Sequence, residues 1–339
     1  MKFIVMDHLP DEFFVTDPEK LYTVFEGPTI VHLDYNKTET VFISMMLHGN
    51  EHSGYYAVKE YLSNLLTKNI VPSKNISLLI GNVEAAKNNA RFLDDQKDFN
   101  RIWSNGSSKE EVWAQKVYRE MSSKNLFATL DLHNNTGKNP HYCAVTNLEV
   151  STLKLASLFD GNVLYFTDPE EVFSNYFSSL CPCLTVEAGQ SGDKEGISKI
   201  IALIDAVMSE TSLSEVSTKS SILSGRVLFE SFGKIKIPSN STISFNGEAA
   251  DFTFDCSIEE LNFNIVRTGQ TFGHSHNIHQ HLLVYDSNNE PIGSSYFKYV
   301  GSEIVSIEDF YPAMITTNSK IVHQDCLCYL LREISPETL

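Results

Sequence analysis

The sequence predicts an α/β fold, with a largely parallel sheet flanked by helices and then a smaller, mostly β C-terminal domain. Two observations carry this. Through the first two thirds of the chain, short β-favouring apolar runs alternate with stretches whose apolar residues recur at helical spacing. Near residue 212 a Ser/Thr-rich stretch, 211–221, reads as a linker, and beyond it come short β-favouring runs broken by turn signals. With 339 residues the chain is long enough for two domains, which the change of texture sets at 1–212 and 213–339.

Taken in order, residues 41–47 read as a strand, and the next segment places Val58, Tyr61, Leu62, Leu65 and Leu66 along one helix face. Residues 76–80 form the next strand. Ser107 or Ser108 is placed to cap a helix carrying Val112, Trp113, Val117 and Met121, after which 126–132 is again strand-like. A helix over 153–159 and a strand at 184–186 continue the alternation. Ile197, Ile200, Ile201, Ile204 and Met208 then mark a long amphipathic helix. Past the linker, strands are expected at 226–229, 234–237, 282–285 and 296–300, with turns at Asn246-Gly247 and Ser287-Asn288-Asn289.

Charge narrows the function. Lys and Arg number 26 against 43 Asp and Glu, a formal charge of −17 that repels phosphate backbones and anionic lipid. Nucleic acid and membrane surfaces are therefore excluded as first partners, and small molecules or peptides fit. The longest apolar runs fall far short of the roughly 20 residues a membrane span needs. Asp7, Asp11 and Glu12 interrupt any signal-peptide run, so a cytoplasmic location is expected. The six cysteines then stay thiols, and the Cys181-Pro-Cys183 and Cys326-Leu-Cys328 spacings lack the gap usual for zinc ligands.

The candidate chemistry sits at strand ends. His48 and Glu51 follow the strand 41–47, His133 ends 126–132 and Glu187 ends 184–186, so all four gather at the carboxyl edge where open α/β sheets bind ligands. Two imidazoles and a carboxylate are the ligand set of a catalytic zinc that keeps one position open for water. Gly49 lets the backbone between His48 and Glu51 fold tightly. Asp131 shares a strand face with His133 and is placed to orient it. A competing reading takes 48–52 as H-x-x-E-H, with His48 and His52 as ligands and Glu51 as base. That motif needs a helix, and Gly49, Asn50 and the preceding strand argue against one, so His52 is expected at a helix start. Two of only six arginines, Arg91 and Arg101, lie in the polar segment 88–101. They suit a carboxylate clamp or an oxyanion partner, and equally surface pairs with Asp94, Asp95 or Asp98.

The series His48-Gly49-Asn50-Glu51, Arg91, Asp98-Phe99-Asn100-Arg101, Asp131-Leu132-His133-Asn134 and Thr185-Val186-Glu187-Ala188-Gly189 resembles the zinc carboxypeptidase superfamily. The similarity is specifically to the succinylglutamate desuccinylase/aspartoacylase branch, over roughly residues 40 to 210, with a similar β domain afterwards. The resemblance implies a carboxypeptidase-like sheet and one zinc per chain on His48, Glu51 and His133. It implies that Glu187 is general base and later proton donor, and that Arg91 polarises the scissile carbonyl. It further implies that Asn100 and Arg101 hold the substrate carboxylate and that Asp98 orients His48. Asn134 and Tyr142, just beyond His133, are expected to bind substrate, with His141 beside them, although an aromatic residue there equally suits the core. The reaction implied is zinc-assisted hydrolysis of an N-acyl amino acid. The alternatives are a zinc carboxypeptidase acting on a short peptide, or a non-catalytic metal-binding protein of the same fold, which would need neither Glu187 nor Arg91. Homo-oligomerisation is left open.

One departure bears on the substrate. Between 172 and 183, where aspartoacylase carries an arginine, this chain has Phe173, Tyr176 and Phe177, which implies a more apolar pocket or the use of Lys138, His141 or Lys194. In the C-terminal domain His274, His276, His279 and His281 cluster; alternate residues could grip a second ion, but a solvated strand or loop is the expectation.

Overall fold

The structure is a computed structural model that describes residues 1–214, 218–277, 279–335 and 337. Residues 215–217 of the expected linker, and 278, 336, 338 and 339 of the expected C-terminal domain, lie outside these. The described residues form two compact units, the first holding 1–134 and 141–227, the second 135–140 and 228–334. The change of texture near 212 therefore marks the end of a helix, while the passage between units falls at 227/228. Residues after 212 still belong to the first unit: Leu223 is buried, and the Val163 amide donates to the Val227 carbonyl at 3.0 Å.

The first unit runs β1 (Ile4–Met6), β2 (Thr29–Leu33), β3 (Thr40–Met45), α1 (Ser53–Lys68), β4 (Asn75–Ile80), α2 (Val83–Ala86) and α3 (Lys109–Ser122). It continues β5 (Leu126–Asn135), β6 (Tyr142–Val145), α4 (Val150–Ser157), β7 (Asn162–Tyr165), α5 (Phe173–Phe177), β8 (Cys183–Gln190), α6 (Lys194–Ser209) and α7 (Lys219–Ile222). Its strands lie in the order β1-β2-β4-β3-β5-β8-β6-β7. β3 pairs in parallel with both β4 and β5, whereas β2 with β4 and β6 with β8 are antiparallel. Every residue of β3 is buried, as a central parallel strand covered on both faces requires.

Local sequence explains the helix ends. α1 starts at Ser53 with His52 as its cap residue, so 48–52 is not helical and the H-x-x-E-H reading fails. The same helix stops at Asn69, whose left-handed φ of 53° lets its amide bond back to the last turn. Ser108 caps α3 in a reciprocal pair with Glu111, and Asp193 caps α6.

The second unit begins with β9 (Leu228–Lys236), which merges two expected strands, because Gly233 in the middle allows the Tyr285 carbonyl within 2.6 Å of where a Cβ would sit. β10 (Ile243–Ser244), β11 (Phe252–Thr253), β12 (Thr271–Ser275), β13 (Leu283–Asp286), β14 (Phe297–Val300), β15 (Glu303–Ser306), β16 (Tyr311–Ala313) and β17 (Cys328–Ile334) follow. One sheet is ordered β10-β11-β12-β15-β14, while β17 pairs antiparallel with both β9 and β16, and β13 with β9. Phe245, Phe252, Phe254, Phe272, Phe297 and Phe310 are buried within its core. Among the described residues no helix is long and apolar enough to cross a membrane.

Candidate active site

β3 and β5 are parallel neighbours, so the residues leaving β3 and the last residues of β5 meet at one sheet edge. After Met45 the chain takes a left-handed turn at Met46, with φ 57°, and enters the loop carrying His48 and Glu51. Gly49 is required there by close approach: a Cβ would lie 2.2 Å from the Ala86 amide nitrogen. His48, Glu51 and His133 are buried, and their ligand atoms all lie within 4.8 Å of one another.

The orientation of the rings is fixed from behind. His48 Nδ1 lies 2.7 Å and His133 Nδ1 2.8 Å from the two oxygens of Glu51, while the opposite nitrogens contact Asp98 Oδ1 at 3.0 Å and Asp131 Oδ2 at 2.9 Å. A carboxylate behind each imidazole is the arrangement that sets tautomer and aim in metal sites. Both nitrogens of each ring thus face carboxylates, and such a cluster is stabilised by positive charge at its centre. Two imidazole nitrogens and one carboxylate are a donor set that fits zinc. Asp131 takes the place its shared strand face with His133 suggested.

The electrostatics follow from burial and neighbours. Burial alone would raise Glu51, but the two imidazoles outweigh it and hold the carboxyl well below its ordinary range. Asp98 is likewise held low, because His48 and Arg91 outweigh its burial. Burial would depress His133, and Asp131 and Glu51 reverse this, holding it well above the usual imidazole value. Glu187 goes the other way: burial pushes it up to about 8, with Glu51 and Asp131 adding to the rise against His133 and Arg91. A carboxyl raised close to neutrality beside ligand-type residues is the environment of a proton-transfer group.

Asp98 organises the arginine segment. Its Oδ2 accepts from Arg91 Nε at 2.9 Å, and its Oδ1 accepts from the Asn100 amide at 2.7 Å as well as meeting His48. Arg91 Nη1 stands 3.9 Å from Glu51. Of the two readings of Arg91, the structure thus gives an inward pairing within the site. Arg101 Nη1 donates to the Asn100 carbonyl at 2.8 Å, and Asn100 Oδ1 accepts from the Phe173 amide at the start of α5 at 2.9 Å. Tyr142 is fully buried and directly opposite Glu187 in the β6–β8 pairing, so both side chains leave the same face.

Several expected pocket residues are engaged elsewhere. Phe173 and Phe177 are fully buried, stacked at 4.5 Å and packed on Phe42, so they build core, while Tyr176 packs on Tyr118 at 4.7 Å. His141 Nε2 lies 2.6 Å from Asp193, Lys194 is exposed, and Lys138 belongs to the second unit. Asn134 is turned inward, with its carboxamide bonded to Ser53 and to carbonyls of β8. His52 is also spent within the protein, on the Gly49 carbonyl at 2.9 Å.

A His-Glu-His donor set with the Glu187 carboxyl as its electrostatic neighbour, at the edge of an open α/β sheet, defines the class of site. The family model for the Succinylglutamate desuccinylase/Aspartoacylase catalytic domain matches residues 37–211, just over half of the chain, and the chain belongs to that family. It is similar to a succinylglutamate desuccinylase of Shewanella frigidimarina (strain NCIMB 400), 23% identical over 316 residues, covering 83% of this chain and 88% of the relative. Among solved structures, the succinylglutamate desuccinylase of Chromobacterium violaceum has a TM-score of 0.59 at 15% identity, covering 90% of this chain and 88% of the other. Murine aminoacylase 3 has a TM-score of 0.56 at 16% identity, covering 88% and 96%. These structures share the fold.

Proposed function

We propose that this protein hydrolyses the amide bond of a small N-acyl amino acid, with zinc held by His48, Glu51 and His133. The observation that carries the reading is the convergence of those three donors, each imidazole backed by its own carboxylate, with Glu187 and Arg91 as electrostatic neighbours. A bound zinc supplies a Lewis acid that brings the pKa of water from about 16 to about 7. Glu187 accepts the proton that water gives up as it attacks the acyl carbon, and returns it to the departing nitrogen, so that water and amide become a carboxylate and an amine. Arg91, held by Asp98, offsets the charge that develops on the carbonyl oxygen. Asn100 and Arg101 fix the substrate carboxylate and make the attack effectively intramolecular.

The substrate side chain is read as neutral or apolar. α5 (Phe173–Phe177) carries no cationic side chain, its two phenylalanines being core, and His141 is already paired with Asp193. A zinc-loaded sample assayed for amine release against N-acetyl, N-succinyl and N-formyl amino acids and short peptides tests the reading. The expected result is turnover of an N-acyl amino acid with an uncharged side chain. Release of C-terminal residues from peptides alone would move the protein to the carboxypeptidase reading, and no amine release from any of them would end it.

A further inference from the structure

We infer that Asn134 and Ser53 are positioning residues that hold the strand bearing Glu187 in register with the ion ligands, an inference that rests on the hydrolase reading above. Three segments meet at this pair. The Asn134 backbone amide donates to Glu51 Oε2 at 3.1 Å, so the residue is tied to an ion ligand through its main chain. Its side-chain oxygen accepts from the Ser53 amide at 3.0 Å, at the first residue of α1. Its side-chain nitrogen donates to Ser53 Oγ at 2.9 Å and faces the carbonyls of Ala188, Gly189 and Gln190 at 3.3, 3.3 and 3.5 Å. An N–H partner on one side and only oxygens on the other fix which end of the carboxamide is which.

Three successive carbonyls cannot face one group in a regular strand, where they alternate sides. Here they converge because Gly189 takes φ +68°, which turns the chain just past Glu187. The convergence costs Gly189 its freedom to carry a side chain, since a Cβ would lie 2.8 Å from Asp193 Oδ2. Ser53 completes the junction: its hydroxyl also accepts from the Gly192 amide at 2.9 Å, and the neighbouring His52 amide donates to Ser191 Oγ at 3.0 Å. Asn134 is 5% exposed and Ser53 fully buried, so water cannot replace these bonds cheaply. The loop of His48 and Glu51, the end of β5 and the segment after Glu187 are thereby bonded through two side chains whose polar atoms all have protein partners.

The test uses the full-length zinc-loaded protein and the variants Asn134→Ala, Ser53→Ala and the double variant, read by amide hydrogen exchange, zinc affinity and kcat with KM. Asn134→Ala keeps its backbone bond to Glu51, so zinc affinity is expected within about threefold of the parent, whereas exchange over 187–192 rises about tenfold or more. On the best substrate kcat falls about 100-fold with KM little changed, the size of effect that a misplaced group produces. Ser53→Ala gives a weaker version of the same pattern, and the double variant is no worse than Asn134→Ala because the two act as one unit. Unchanged exchange over 187–192, additive losses in the double variant, or kcat lost only in step with zinc would overturn the inference. Should Asn134→Ala fail to fold, Ser53→Ala decides by the same readouts. If no amide is turned over by the parent, the hydrolase reading fails, and exchange with zinc affinity still decides whether the junction exists.

Discussion

Two histidine pairs, one in each unit, look alike by distance and differ in everything around them. The rings of His48 and His133 stand 5.0 Å apart, those of His274 and His276 6.2 Å. The first pair is buried, shares Glu51 between its Nδ1 atoms, and has Asp98 and Asp131 behind. In the second pair His274 is half-buried and His276 exposed, with Nε2 of His276 3.0 Å from the Thr253 hydroxyl. Among the described residues, only His48, Glu51 and His133 form a group of three or more potential donors. His281 is stacked on Tyr299 at 4.1 Å. Nearness of imidazoles is thus a weak criterion; a third donor and a fixed ring orientation are what separate a ligand set from neighbouring side chains.

The contrast can be broken most severely by truncation. His133→Ala should remove stoichiometric zinc, about one ion per chain in the parent, and with it turnover. His274→Ala with His276→Ala should leave zinc content unchanged; metal analysis of both decides, and a loss of zinc in the second-unit variant would erase the distinction. Next in size, Glu187→Gln should lower kcat by about 10² to 10⁴ while zinc stays bound, as expected for a proton-transfer group that is not a ligand. Zinc lost together with activity would make Glu187 a ligand instead.

Smaller effects sharpen the role of the carboxylates behind the rings. Asp98→Asn and Asp131→Asn should each weaken zinc by about 10- to 100-fold in competition titrations, with the Asp98 variant also disturbing Arg91 and Asn100. Glu111 is the control, a carboxylate held low by hydrogen bonds at a helix cap: Ser108 and Lys97 bring it from 4.5 to about 2. Its stabilisation is present above about 4.5 and is lost as pH falls through about 2, so Glu111→Gln should be less stable than the parent at pH 6. The difference in urea midpoint should shrink toward pH 2, with zinc content at neutral pH unaffected. A pH-independent difference would mean that the charge of Glu111 contributes nothing to the cap.

Local chemistry made much of the first unit legible. Apolar runs with helical or continuous spacing marked β3, α1, β4, α3, β5 and α6, because a central strand buried on both faces and a helix with one buried stripe each leave a period in the sequence. The placement of His48, Glu51 and His133 followed from where those strands stop. The N-terminal strands β1 and β2 carried no such signal, and β12 and β15 to β17 were also unmarked, since short strands are decided by the partners they find. Residue types alone leave Arg91 balanced between surface and site; the family resemblance tips it inward, and Asp98 holds it beside His48.

The sequence by itself determined the alternation of strand and helix, the strand ends at which the donors sit, and the family to which the motifs point. Tertiary structure alone decided that Asn134 faces inward, that Phe173 and Phe177 build core and that Asp98 joins an arginine to an imidazole. The physical reason is range. Periodicity and strand ends are set by neighbours along the chain, whereas the partner of a polar or aromatic side chain depends on which distant segment arrives beside it, as Ala188 to Gln190 do beside Asn134.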